Sequence, residues 1–434
     1  MCARIAAGNG HNKLLRQDRA PHAWYRFVLS FPPHLVRDYL KSFDIGSTHR
    51  VLDPFCGTGT VLVECRKLGI PSVGVEINPV LHFATQTKLD WSPDPRLLVE
   101  HARLVASEAR ERLAWLGLDD CHPRLEEPDD CLPLRALPPE AERLLLTGSI
   151  SPLPLHRTLV LQECMREHHD SHFSRHEMLA LADVLVHSIS NLHFGPEVGV
   201  SSPKTDTPVI EPWIKTVEAM ADDLQALRLK ANGIEAKVHR ADARNLSAVL
   251  DRSSIDAVIT SPPYPNEKDY SRTTRLESVL LGFIHNLSEL RALKKGMIRS
   301  NTRGVYKEDN DDSWSNRYPE VQRIAEQIEC RRIEMGKTSG FERLYPRVTK
   351  LYFGGMARHL AELRPFLRPG ARLAYVVGEQ ASYLQVMIHT GRILADIAES
   401  LGYEVRGIDL FRTRLATATK NQLREEVVVL HWPG

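Results

Sequence analysis

The sequence predicts an α/β fold on an open, mostly parallel, Rossmann-like sheet that is interrupted by a large helical insertion. Three observations predict it. Near the N-terminus, "HRVLDPFCGTGTVLVECRKLGI" and "PSVGVEINPVLHFATQTKL" each read as a strand leading into a helix. That is the opening of a βαβ unit and implies a parallel sheet. The alternation then lapses over residues 91–235, where amphipathic helical patterning dominates. It returns at residue 236 and continues to the C-terminus, where the last two strands have no helical pattern between them. Such a short connection predicts an antiparallel last strand.

The elements follow in order. Residues 1–20 are polar and aperiodic and predict an arm without regular structure. In "WYRFVLSFPPHLVRDYLKSF", Pro33 opens a helix whose apolar positions are Leu35, Val36, Tyr39 and Leu40. The strand–turn–helix pairs come next. Within the insertion, helices are predicted near 96–116, 139–147, 155–192 and 213–231. Between the first two, "DDCHPRLEEPDDCLPLRALPPE" predicts an exposed acidic loop, and 194–212 reads as irregular. "AKVHRADARNL" is a short strand ending in Asp242, and "IDAVITSPPY" is the next strand. Residues 265–345 look like a further insertion. "GGMARHLAELRPFLRPGARLAYVVGE" is helix then strand, "TGRILADIAESLGYEVRGIDLFRTR" likewise, and "REEVVVLHW" is the last strand.

Composition narrows the function classes. A chain of 434 residues supports a large core. The formal charge of +1 gives no global basic field, so any surface for polyanions is local. No apolar run is long enough to span a bilayer, and no signal peptide is evident. Seven scattered cysteines, without a CxxC pair, predict a reducing cytoplasm and no metal site.

The turn Asp53-Pro54-Phe55-Cys56-Gly57-Thr58-Gly59-Thr60 lies between a strand and a helix. Glycines there let a ligand approach the backbone at the helix N-terminus. Glu76 ends the next strand, where a carboxylate can accept from both hydroxyls of a ribose. No Gly-Lys-Ser/Thr follows, which excludes a P-loop. A dinucleotide site, an ordinary βα turn and S-adenosylmethionine remain. The third glycine of the dinucleotide pattern is replaced by Leu62. S-adenosylmethionine lacks a pyrophosphate, so a glycine turn without a phosphate clamp suits it, and Asp53 is placed to meet its ammonium group. Asp242 can accept from an adenine amino group, or it can cap the residues that follow.

The strand 255–260 runs into Ser261-Pro262-Pro263-Tyr264, where two prolines stop the ladder. Set beside the first strand, this corner faces the same crevice. The Ser261 hydroxyl and the Pro262 carbonyl can accept from an exocyclic amino group and re-localise its lone pair, with the prolines removing reorganisation. Tyr264 can stack on an extruded base.

"DPFCGTGT", "GVEINP", "ADAR" and "TSPPY" together resemble the motifs of amino-group DNA methyltransferases. The Ser-Pro-Pro-Tyr form is the N4-cytosine one; adenine enzymes more often carry Asp or Asn first. Here the glycine motif precedes the proline motif, the reverse of many N4-cytosine enzymes. The resemblance implies a class I methyltransferase sheet of seven strands. Asp53, Phe55, Gly57, Thr58, Gly59, Glu76 and Asp242 would bind S-adenosylmethionine, and Ser261, Pro262, Pro263 and Tyr264 would surround the amine. The patterning divides the chain into an N-terminal helix with the first half of the catalytic domain (1–90), the helical insert (91–235) and the second half (236–434), with 265–345 a candidate DNA-recognition insertion. The expected activity is site-specific methylation of cytosine N4 in DNA by base flipping, in the cytoplasm. A cognate restriction endonuclease is left open as partner. N6-adenine in DNA, an RNA or protein amide, and a catalytically idle DNA-binding module are the alternatives.

Other chemistry fits less well. A C5-cytosine mechanism needs a cysteine where Ser261 stands. Cys164, His168, His172 and His176 are spaced as one helical stripe, but lack a metalloprotease-type base and a second ligand segment. Lys268, Arg272, Arg275, Lys294, Lys295, Arg299 and Arg303 follow the corner and are candidates for phosphate contacts. Arg412, Arg414, Lys420 and Arg424 form a second candidate strip.

Overall fold

A computed structural model describes residues 14–27, 30–120, 133–195, 197–230, 233–415 and 422–434. Most of the predicted N-terminal arm, the stretch of the acidic loop holding Cys121 and Cys131, and Lys420 lie outside them.

The strands are β1 (Val51–Asp53), β2 (Ser72–Val75), β3 (Leu192–Phe194), β4 (Val198–Val200), β5 (Ala236–His239), β6 (Ile255–Thr260), β7 (Leu367–Gly378), β8 (Glu404–Leu415) and β9 (Gln422–His431). Seven of them form one sheet in the order β5-β2-β1-β6-β7-β9-β8. β9 alone runs against its neighbours β7 and β8. The parallel pairs are fixed by Val51 against both Ser72 and Ala257, and by Ser72 against Ala236.

The helices that matter below are α1 (Pro33–Ser42), α2 (Thr60–Leu68), α3 (Pro79–Leu89), α4 (Pro95–Trp115), α5 (Pro152–Glu167), α6 (Ser174–Val184), α7 (Ile210–Arg228), α8 (Gly340–Leu363) and α9 (Thr390–Ser400). The central strands β1, β2 and β6 are buried on both faces, as a parallel sheet requires. Successive residues of its strands alternate between two cores. Ala257, Ile259, Ala374 and Val376 pack with α1 and α2. Val258, Leu373, Tyr375 and Val377 pack with α8 and α9.

Helices α4–α7 form the insert around Trp213, Leu98 and Leu161. This core is continuous with Trp24, with Val80 and Phe83 of α3, and with Leu276. The insert is therefore built onto the sheet's own helices. It departs from the expected helix 155–192. α5 stops at Glu167, and the Asp170 carboxylate accepts from the His172 amide at 2.8 Å in the turn that follows. The histidine stripe is thereby broken. His168 binds Glu108, His172 binds Asp170 at 2.9 Å, and His176 is buried against the Asp90 carbonyl at 3.0 Å. The region 194–212, expected to be irregular, carries most of the small β3–β4 ribbon.

Candidate functional site

Going from β1, the chain moves outward to β2 and β5, then returns to β6 on β1's other side. The carboxyl ends of β1 and β6 are thus a topological switch point, where open α/β sheets hold ligands. A cavity of about 190 Å³ lies there. Its wall includes Phe55, Gly57, Thr58, Glu76, Asp242 and the corner Ser261–Tyr264.

Asp53 does not form part of that wall. It is wholly buried beneath it. Its Oδ1 accepts from Thr260 Oγ1 at 2.6 Å and from the Phe55 amide at 3.1 Å, which ties the end of β1 to the end of β6. Burial pushes its carboxyl up to about 7. These bonds buttress the turn through Oδ1, while Oδ2 has no hydrogen-bond partner among the described residues. Gly59 also stays off the wall. Its φ is +80°, and a Cβ there would come within 2.7 Å of the Thr85 side chain.

Gly57 does face the crevice. Its φ is +53°, and no atom lies within 4 Å of where a Cβ would be. Its amide donates to Glu76 Oε2 at 2.8 Å, and the Asn78 amide donates to Oε1 at 2.7 Å. These bonds favour the charged carboxylate, yet burial outweighs them and raises Glu76 to about 7. Asp242 follows β5 and is half-exposed. The Arg244 amide donates to its Oδ1 at 2.8 Å, and the Arg244 guanidinium grips Oδ2 at 2.7 Å. Arg244 is itself buried against Asp311.

At the corner, the Ser261 hydroxyl donates to the Val376 carbonyl at 3.2 Å. Its hydrogen is thereby engaged on β7, and its lone pairs are what it can offer elsewhere. The Tyr264 amide donates to the Tyr270 hydroxyl at 3.2 Å. The Tyr264 ring lies over Gly378, where a Cβ would be 3.0 Å from it. Burial, with Glu425 nearby, raises its phenol above the ordinary value, so it stays neutral. A glycine turn with a carboxylate at the next strand end faces, across one crevice, a rigid corner with oxygen acceptors.

Residues 9–86 match the DNA methylase family of N6 and N4 enzymes. The type II methyltransferase M.BsoBI of Geobacillus stearothermophilus is 24% identical over 412 residues, 89% of this chain and 79% of its own. M.AvaI of Nostoc sp. is 24% identical over 452 residues, 96% of this chain and 87% of its own. In its motifs and in these matches the chain is similar to the amino-group DNA methyltransferases. Among solved structures, TrmN from Thermus thermophilus aligns at 11% identity with a TM-score of 0.29, over 92% of this chain and 48% of that one.

S-adenosylmethionine is the methyl donor of this methyltransferase, and the crevice suits it. The empty space over Gly57 admits a ligand against the backbone, and Glu76 offers a carboxylate at its edge.

The basic residues after the corner divide. Arg303 is exposed, with Glu197 at 3.7 Å, and Lys268 and Arg272 are half-buried. Arg299 corrects the expectation of a phosphate contact. It is 4% exposed and clamps both oxygens of Asp309, at 2.8 and 2.7 Å. Arg275 is likewise used inside, donating to the carbonyls of Ser271 at 3.1 Å and Leu144 at 3.2 Å. Lys294 pairs with Asp269 at 2.7 Å.

Sequence reasoning missed part of the wall. Phe27, Ser30 and Phe31 precede α1 and line the crevice, as do Asn78, Tyr270 and Arg412. The signal for the first three was the aromatic run ending in "SFPP", a second rigid proline corner. Among the described residues, no helix is long and apolar enough to cross a membrane.

Proposed function

We propose that this methyltransferase acts on the exocyclic N4 amino group of cytosine in DNA, with the target base turned out of the duplex. The observation that carries this reading is the Ser261 hydroxyl, whose hydrogen is committed to Val376. An amino group on a ring is a weak nucleophile, because its lone pair is delocalised. It needs acceptors, and Ser261 is held as an acceptor.

When bound, the cofactor supplies an electrophilic methyl group on a sulfonium. Phe55, Gly57, Thr58, Glu76 and Asp242 form its side of the crevice, while Asp53 and Gly59 shape the turn from beneath. Ser261 Oγ and the Pro262 carbonyl accept from the two amino hydrogens. Pro262 and Pro263 keep them fixed, so little reorganisation is needed. Tyr264 stacks on the base. Held in this way, the amino nitrogen would present its lone pair to the cofactor's methyl group and would give up one proton to solvent on transfer. Lys268, Arg272 and Arg303 meet DNA phosphates, and 265–345 carries recognition. A restriction endonuclease reading the same site is the partner from which such methylation protects DNA.

Plasmid DNA incubated with enzyme and S-adenosylmethionine, then digested to nucleosides, tests this by mass spectrometry. N4-methyldeoxycytidine is expected. N6-methyldeoxyadenosine would overturn the cytosine reading, and cofactor binding without any methylated nucleoside would favour an idle module. Ser261→Ala should lower the single-turnover rate by about 10²-fold, as for one lost preorganised polar group. Its cofactor affinity should not change.

A further inference from the structure

The sequence groups Arg412 with Arg414, Lys420 and Arg424 as phosphate contacts. Among the described residues, the structure separates it from them. Arg414 donates to the Glu379 carbonyl at 3.0 Å, and Arg424 pairs with Glu426 at 2.8 Å. Arg412 instead lines the crevice, together with Glu425 and Tyr264.

The sheet register explains why. Arg412 is opposite Glu425 in the β8–β9 pair, and Glu425 is opposite Gly378 in the β9–β7 pair. Opposed residues share one face of a sheet. Gly378 leaves room in that row, and the Tyr264 ring fills it. The row therefore runs from guanidinium to carboxylate to the ring of the corner. Glu425 is 7% exposed, and its Oε2 accepts from Arg412 Nε at 2.5 Å. Among the described residues, no hydrogen bond engages the two Nη atoms of Arg412. A guanidinium is planar and its donors form a fixed fork. With Nε held, the outer end of the fork is oriented and free to bind.

We propose that Arg412 reads the extruded base, donating to ring N3 and carbonyl O2 of cytosine while Ser261 and Pro262 hold N4. This rests on the cytosine reading above. N3 and O2 are adjacent acceptors and match the fork. Adenine offers one ring nitrogen beside its amino group, then a C–H where cytosine has O2. One Arg412 donor would be left desolvated and unpaired, which a site built for hydrogen bonds penalises. Thymine would set its N3–H against a donor. Glu425 is a positioning residue that fixes the fork.

A four-way comparison tests the assignment. Wild type and Arg412→Lys are each assayed on duplexes whose target is cytosine or 3-deazacytosine, which replaces N3 by C–H and keeps the amino group and O2. The intrinsic reactivity of each base cancels between the two enzymes. On cytosine, Arg412→Lys should lower kcat/KM by roughly tenfold to a hundredfold, the discrimination that a bidentate contact to a base supplies. On 3-deazacytosine the two enzymes should differ by only about a third of that factor or less. An equal loss on both bases overturns the assignment. A salt slope of DNA binding that falls by about one unit in Arg412→Gln, which removes the charge, also overturns it, because Arg412 then meets a phosphate. Nucleoside analysis of the wild-type product separates the two claims. N6-methyladenine removes the cytosine reading and this assignment with it, whereas N4-methylcytosine with equal losses removes this assignment alone. If the lysine variant fails to fold, by circular dichroism, Arg412→Gln in the same four assays carries the comparison.

Discussion

Glu76 is subject to two opposed influences. Two amide donors favour its charged form, and enclosure by protein disfavours it; enclosure wins and raises the group to about 7. A carboxyl raised on folding stabilises the fold fully below its unfolded value, 4.5 for Glu76, and that contribution is lost as pH rises through about 7. Asp53 adds a loss in the same direction, from 3.8 to about 7. The cofactor-free protein should therefore lose stability between about pH 4 and pH 7. Binding should run the other way. On the proposed assignment, ribose hydroxyls donate to the ionised Glu76, so binding should release a proton and affinity should rise with pH. Calorimetry at pH 6, 7 and 8 should show cofactor affinity increasing by up to about tenfold per unit below pH 7 and levelling above it. Glu76→Gln should remove that dependence and bind more weakly throughout. A variant with the wild-type pH profile would detach Glu76 from the ligand.

Helix α8 shows how an element remote from the crevice controls it. Gly354 lets α8 pass directly against the backbone at Asp311, and a Cβ there would collide with that carbonyl. Asp311 in turn holds Arg244 and, at 3.2 Å, Arg358. Arg244 holds Asp242 at 2.7 Å. Gly354→Ala should cost about 1–3 kcal/mol or more in urea unfolding, as overpacking does. It should also weaken cofactor binding through Arg244. Gly407→Ala on β8, where a Cβ meets nothing within 4 Å, is the control and should do neither. The central strands, the glycine turn and the proline corner were legible because strand runs and turn residues are local signals. Pairing of β6 with β1 followed from the parallel sheet. The break after Glu167 was not legible, since "EHHDSH" has a helical period and only the Asp170 turn ends it. Arg275 and Arg299 were not legible either, because a charge run reads alike whether its members face water or bind buried carbonyls and Asp309. Arg412 reached the crevice through strand register, which no single stretch of sequence encodes.

At the scale of the molecule, a net charge of +1 means that DNA affinity must come from a few local contacts. Arg303→Ala should reduce the slope of log K against log salt by about one unit, measured by fluorescence anisotropy, with stability unchanged. Arg299→Ala should do the reverse. It strands the Asp309 carboxylate in a buried setting and should cost about 3–5 kcal/mol while leaving the salt slope of the folded protein alone. The hydrogen bond between Asp53 and Thr260, which joins residues 207 apart, carries a further consequence. The ribosome delivers the glycine turn long before the strand that must lie beside it, and the row at Arg412 and Glu425 comes last of all. Until β6 emerges, β1 has an open edge, and non-local pairing of this kind is slow and prone to misassociation. Competence to methylate therefore waits until β9 has emerged, and a nascent chain halted at residue 250 would carry a complete glycine motif with no floor, no corner and no activity.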